Sequence, residues 1–193
     1  MTFLSINTST DICSVSIYHN NKFKTMVEKN TREHSKYLPL FTQKLIKEVE
    51  SQLQYIALCI GPGSFTGLKI GSSFAKGLAT SLDIPIVPVD NYETFNEQVQ
   101  GVDKYYLAIY SHRDYAFTCF VNNETFSEYK CMKINTINDY PVFGYGFPEK
   151  INIKYNKLIP CSEKTGILSM SKIELYKNKN NDNINPIYLY VTN

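Results

Sequence analysis

This chain has little of what most sites of independent chemistry need. Histidine occurs three times, as His19, His34 and His112, with no HxxxH or HExxH pair and no close His/Asp cluster. No metal site can therefore be read from the sequence. The five cysteines (Cys13, Cys59, Cys119, Cys131 and Cys161) are odd in number and never spaced as CxxC. Most lie inside apolar runs, so they read as buried, reduced thiols of a cytosolic protein. No apolar stretch nears the ~20 residues of a membrane span. The opening Met1-Thr2-Phe3-Leu4-Ser5-Ile6 also lacks the basic flank of a signal peptide. Charge excess is slight: 20 Lys+Arg against 18 Asp+Glu leaves +2. Autonomous nucleic-acid binding needs a larger, clustered excess, although a share in a composite site does not. Walker A, GxGxxG and nucleophile-elbow motifs are all missing.

Apolar and aromatic residues are plentiful. Of 193 residues, 43% are hydrophobic and 13% aromatic, with 15 Tyr and 11 Phe. A substantial core can form, and global disorder is excluded.

Phe3–Asn7, Ile12–Tyr18 and Phe23–Glu28 read as strands. The second alternates cleanly, with Cys13, Val15 and Ile17 on one face and Ser14, Ser16 and Tyr18 on the other. A helix over Ser35–Ser51 tolerates Pro39 only in its first turn. The run Tyr55–Ile60 reads as a central strand, followed by a helix over Ser64–Ser81, a strand over Ile84–Val89 and a helical Asp90–Gln100. The second half starts again in the same manner. Strands are expected at Tyr105–Tyr110, Tyr115–Val121 and Phe126–Met132, then a short polar helix over Asn135–Tyr140. Val142–Phe147 and Leu158–Cys161 are further strands, and Glu163–Lys177 a helix. Lys177–Asn185, rich in Asn, reads as a loop or mobile segment. Pro186–Tyr190 regains strand character and should dock on a lobe. Each half is thus a three-strand meander, a helix and further strands. That order predicts an α/β protein of two tandem ribonuclease-H-like lobes with mixed sheets, residues 1–100 and a reduced 101–193.

The block Gly61-Pro62-Gly63-Ser64-Phe65-Thr66-Gly67-Leu68-Lys69-Ile70-Gly71 is the most distinctive. It reads as a strand, a glycine turn and a helix start, with Ser64 or Thr66 as cap. Gly61, Gly63, Ser64 and Thr66 could offer amides to a phosphate, but a tight turn that needs glycine explains the block as well. In the helix that follows, Gly67, Ile70, Gly71, Phe74, Ala75, Leu78 and Leu82 share one side, and Phe65, Lys69, Ser72 and Lys76 the other. In the first helix, Tyr37 and Leu40 fall outside the core stripe of Leu38, Phe41, Leu45, Ile46 and Val49. Such a wide apolar arc fits a protein partner or a loop packed on top. His34 stands at that helix start and His112 in a hairpin turn. Asn7 ends the first strand, where folds that bind ATP between two such lobes carry an acid that organises the cation. An amide there argues against independent phosphoryl transfer.

Four segments together resemble one family: Leu4-Ser5-Ile6-Asn7-Thr8-Ser9-Thr10, Glu33-His34-Ser35-Lys36-Tyr37-Leu38-Pro39, Gly61 to Gly71, and Pro186-Ile187-Tyr188-Leu189. They are similar to the bacterial tRNA threonylcarbamoyladenosine biosynthesis protein TsaB (YeaZ) family. The family usually has arginine at Lys69 and often aspartate at Asn7. The resemblance implies a cytoplasmic, non-catalytic member of the actin-like, sugar-kinase-like superfamily, with no catalytic or metal residues. It implies a heterodimer with the catalytic paralogue TsaD, the ATPase TsaE in the same assembly, and tRNA met only through the complex. The partner surface it implies takes His34, Tyr37, Leu40 and Phe41 from the first helix, and Phe65, Leu68, Lys69, Ser72 and Lys76 from the second. The chain alone is expected to bind no cofactor, with ATP or ADP at the partner interface left open, as is a free homodimer. An ATP-dependent phosphotransferase or hydrolase on the same fold is the alternative.

Overall fold

A computed structural model describes residues 1–29, 31–49, 51–137 and 139–190. Strands β1 (Phe3–Asn7), β2 (Cys13–His19) and β3 (Lys22–Glu28) form an antiparallel meander. Helix α1 (His34–Ile46) then leads to β4 (Ile56–Cys59), and α2 (Phe65–Leu82) to β5 (Ile86–Val89). Both β4 and β5 run parallel to β1, giving the sheet order β3-β2-β1-β4-β5. After α3 (Asn91–Asn96) the plan repeats. β6 (Lys104–His112) pairs antiparallel with β7 (Tyr115–Asn122), and β8 (Thr125–Phe126) and β9 (Lys130–Lys133) both pair with β7. β10 (Val142–Tyr145) and β11 (Asn156–Lys157) add in parallel on the far side of β6. The order third-second-first-fourth-fifth is the same in both sheets. The duplicated ribonuclease-H-like architecture is present, and among the described residues the second copy has no α-helix between its strands.

The alternation of β2 sets the layers. Cys13, Val15 and Ile17 join Leu4, Ile6, Leu38, Phe41, Leu45, Ala75 and Ala79 in the main core, so α1 and α2 cover one face. On the other face lie Phe3, Tyr55, Ala57 and Val87. There the chain exchanges helices between its halves. α4 (Ser162–Ser169) and α5 (Ile173–Tyr176), from the second half, cover the first sheet. Conversely, α3 buries Tyr92 and Phe95 among Tyr105, Leu107, Ile109, Cys119 and Val121 of the second sheet. Among the described residues no helix is long and apolar enough to cross a membrane.

Several expectations need correction. α1 ends at Ile46, not Ser51, and Pro39 is its sixth residue, in the second turn, where its missing N–H removes an interior hydrogen bond. The single strand expected over Phe126–Met132 is split, because Ser127 engages Phe120 from both sides. Its amide donates to Phe120 O (2.8 Å) and its hydroxyl accepts from Phe120 N (2.9 Å). Asn135–Tyr140 contributes only one 3-10 turn, Ile134–Thr136, and Asn138 lies outside the described residues. β11 precedes the strand expected at Leu158–Cys161, and the helix over Glu163–Lys177 breaks into α4 and α5. The Asn-rich segment is packed down: Asn181 Oδ1 accepts from Ile86 N (2.8 Å) and its Nδ2 donates to Ile84 O (3.0 Å), which covers the edge of β5. Pro186–Tyr190 docks as extended chain outside any strand, with Ile187 N donating to Ile60 O (2.7 Å).

Candidate functional site: the interlobe cleft and the outer helix face

The Gly61–Gly71 block is shaped by one close approach. Ser64 caps α2, accepting from Gly67 N (3.3 Å). Gly63, Gly67 and Gly71 recur every four residues and face the Thr8–Ser9 loop after β1. A Cβ on them would lie 2.1 Å from Ser9 O, 2.1 Å from Thr8 O and 2.2 Å from Thr8 Oγ1. Hydrogen bonds seal the contact, from Ser64 N to Ser9 O (2.6 Å) and from Thr8 Oγ1 to Gly67 O (2.8 Å). The glycines serve helix-to-loop packing, and the Ser64 amide already has its acceptor.

Asn7 is buried at the centre of an amide–hydroxyl network. Its Oδ1 accepts from Ser9 N (3.1 Å) and Ser9 Oγ (2.7 Å), and its Nδ2 donates to Asn91 Oδ1 (3.3 Å). Asn91 Nδ2 donates in turn to Ser9 Oγ and Pro62 O, both at 2.7 Å. The amide thus uses its donor as well as its acceptor, which a carboxylate could not do. Sequence reading missed Asn91 as the second half of this pair, since nothing local marks it.

His34 Nε2 lies 2.9 Å from Thr10 O, so that nitrogen carries the proton, and burial holds the imidazole below its usual pKa. It is a neutral clamp between α1 and the same loop. His19 is engaged with Thr2 Oγ1 and His112 with Ser111 Oγ, so the three histidines do not converge. Among the described residues no group of three His, Cys, Asp or Glu could hold a metal ion. Burial pushes the thiols of Cys13 and Cys59 up to about 12 and that of Cys119 to about 11, which leaves them unreactive.

Between the lobes lies a cleft of about 1020 Å³. Its first wall is the Ser9–Asp11 loop, Arg32 and the start of α2; its second is Ile109–Ser111, Phe117 and Tyr145, with Tyr188–Tyr190 at the rim. Between β5 and β6, Asp90 and Glu93 form a capping box on α3, with Glu93 N donating to Asp90 Oδ1 (2.8 Å) and Asp90 N to Glu93 Oε2 (3.0 Å). Tyr129 Oη donates to Asp90 Oδ2 (2.8 Å), and Lys172 pairs with Glu93. Burial, reinforced by Glu93, raises Asp90 to about 6. The Asp-x-x-Glu spacing was a readable signal for this cap.

The outer face of α1 and α2 is narrower than the sequence suggested. Leu40 (38% exposed), Phe65 (49%) and Lys69 are open, while Tyr37 and Lys76 are partly covered. His34, Phe41 and Leu68 are buried, and so is Ser72, at 8% exposed, against the expectation that it faces away from the core. The two helices pack side by side, which covers a second arc of α2. Leu82, expected on the sheet side, is exposed at the helix end. Phe65 is itself flanked: Lys69 Nζ is 4.2 Å from its ring centroid and the Tyr188 ring 4.8 Å. Lys76 donates to Asp182 O (3.0 Å).

Fold and site together define a two-lobed α/β protein of tandem ribonuclease-H-like units with a cleft between them. The overall structure is similar to that of YeaZ from Pseudomonas aeruginosa, with a TM-score of 0.79 at 22% identity over 97% of this chain and 99% of that one. Residues 20–119 match the model of the TsaD family, tRNA N6-adenosine threonylcarbamoyltransferase. The TsaB protein of Buchnera aphidicola subsp. Acyrthosiphon pisum is 33% identical over 98 residues, 49% of this chain and 44% of its own length. That of Haemophilus influenzae is 35% identical over 94 residues, 47% of this chain and 40% of its own. The chain spans less than half the length of each of these two relatives. It belongs to the family that this model describes, and about half of it is similar to these TsaB proteins.

Proposed function

We propose that this chain is the non-catalytic subunit of a cytoplasmic assembly that makes N6-threonylcarbamoyladenosine at position 37 of ANN-decoding tRNAs. In this reading it pairs with the catalytic TsaD paralogue, TsaE joins the pair, and tRNA is met only through the complex. The observation that carries the reading is the similarity of about half of the chain, 98 and 94 residues, to proteins named for this biosynthesis, at 33% and 35% identity. Two features of the site support a partner role. Asn7 is committed to Ser9 and Asn91 where a cation-organising carboxylate would stand. Leu40 of α1 and Phe65 of α2 are both exposed large apolar side chains. A nucleotide, if one belongs to the assembly, would sit where the cleft meets the partner, near Ser64 and Thr66.

The test is to deplete the protein in its own organism and quantify threonylcarbamoyladenosine in bulk tRNA. The modification should fall and return with the wild-type gene; an unchanged level would refute the reading. The size of the cleft favours one competitor, an ATP-dependent phosphotransferase or hydrolase. Sustained ATP hydrolysis by the purified chain, lost on substitution of a residue in the Thr8–Asp11 loop, would support that competitor instead.

A further inference from the structure

The end of the chain is held down unevenly. Asn181 makes two hydrogen bonds to the backbone of the Ile84–Ile86 stretch, Ile184 is buried in the first-lobe core, and Ile187 N donates to Ile60 O at 2.7 Å. Past Ile187 the hold changes in kind. Tyr188 leans on Phe65 with ring centroids 4.8 Å apart and planes at 49°, and Tyr190 is 71% exposed. All of 188–190 lines the rim of the interlobe cleft.

We propose that residues 188–190 are a releasable cover over Phe65 and the cleft mouth, hinged at Ile187 and tethered by Asn181 and Ile184. A surface ring contact between an exposed Phe65 and a half-buried Tyr188 opens far more readily than a buried side chain with a doubly bonded amide beside it. Phe65 is the largest open apolar side chain on α2, and a partner that buries its ring meets two groups already in place. Lys69 belongs to the same helix and travels with Phe65; Tyr188 does not, so it is the group that must leave. The cover therefore competes with the partner for Phe65. The identity of that competitor rests on the subunit reading above; the existence of the cover does not.

The sequence contains no tryptophan, so Tyr188→Trp in the full chain supplies a sole indole reporter. The indole should be shielded from acrylamide, and adding Phe65→Ala should raise its quenching about twofold, as a ring stripped of its partner spends more time in solvent. Equal quenching with and without the Phe65 side chain overturns the cover. In the second arm, Tyr188→Ala and the wild type are titrated with the TsaD-type transferase of the same organism. A cover that is open only part of the time lowers apparent affinity by the open fraction, so Tyr188→Ala should bind about threefold tighter or better. Unchanged or weaker binding overturns the competition and makes Tyr188 part of the contact or a bystander. If neither protein binds the transferase, the subunit reading fails and the quenching arm alone decides the cover.

Discussion

Tyr145, on β10 of the second lobe, donates its hydroxyl hydrogen to Asp11 Oδ1 in the β1–β2 loop of the first, at 2.8 Å across the cleft. The lobes are joined elsewhere by far more sheltered contacts. Ser162 Oγ, at the start of α4, lies 2.7 Å from Ser14 Oγ and 2.6 Å from Ser16 Oγ, all buried. The Tyr145–Asp11 bond is exposed, so it acts as a light latch beside a firm hinge. Tyr145→Phe should cost about 1 kcal/mol or less in urea denaturation, the range of a single hydrogen bond to a solvated carboxylate. Asp11→Ala should cost no more when added to Tyr145→Phe than the loss of its other contacts. Fully additive losses in the double-mutant cycle would show that the two groups do not interact in solution.

A matched pair of glycine substitutions tests the helix-to-loop seam. Gly67→Ala improves helix propensity by about 1 kcal/mol, yet its Cβ would sit 2.1 Å from the Thr8 carbonyl oxygen. Backbone must move, so a net loss of about 3 kcal/mol or more is expected. Gly77→Ala lies in the same helix with nothing within 4 Å of the new Cβ. It should gain about 0.5–1 kcal/mol. Thermal or urea unfolding of both variants settles the point, and similar effects at the two sites would refute the close approach.

The glycine block, the alternation of β2 and the duplicated strand order were legible because each is a local pattern. α4 was only half legible, for a physical reason. Its buried residues are Ser162, Thr165, Gly166 and Ser169, which meet Ser14, Ser16, Phe3 and Phe23. A helix whose inner stripe is hydroxyl and glycine shows no apolar periodicity, so its end could not be placed. The break between β8 and β9 depends on one serine hydroxyl replacing a ladder bond. Asn7 with Asn91, and Phe65 with Tyr188, are partners far apart in sequence, and no spacing rule brings them together.

Asp90 makes stability depend on pH in a direction opposite to most carboxylates. Its folded pKa is raised by burial from 3.8 to about 6, so the folded state binds the proton more tightly than the unfolded chain. Stability contributed here is present at low pH and is lost as pH rises from about 4 to about 6, up to about 3 kcal/mol for a two-unit shift. His34 opposes it: its pKa is depressed by burial, so its contribution is lost as pH falls below its ordinary value near 6.5. Asp90→Asn keeps a good cap and isolates the first effect. The difference in unfolding free energy between variant and wild type should shift in favour of the variant between pH 4 and 6.5. A flat difference across that range would mean that Asp90 is not raised.

The outer helix face yields the last prediction. Leu40 is 38% exposed and Ser72 only 8%, although both were expected to face a partner. Charge at the two positions should act on different quantities. Ser72→Arg forces a guanidinium into a packed helix pair and should lose about 2–4 kcal/mol of stability, as buried charge does. Leu40→Glu places its carboxylate at an open position of the same face, so stability should hold within about 0.5 kcal/mol. If the proposed transferase partner covers this face, Leu40→Glu must desolvate a charge on binding, and affinity should fall about tenfold, or about 1.4 kcal/mol. Unfolding curves and partner titrations on the same preparations separate the two effects. A Leu40→Glu protein that folds normally and binds its partner unchanged would move the contact off this face.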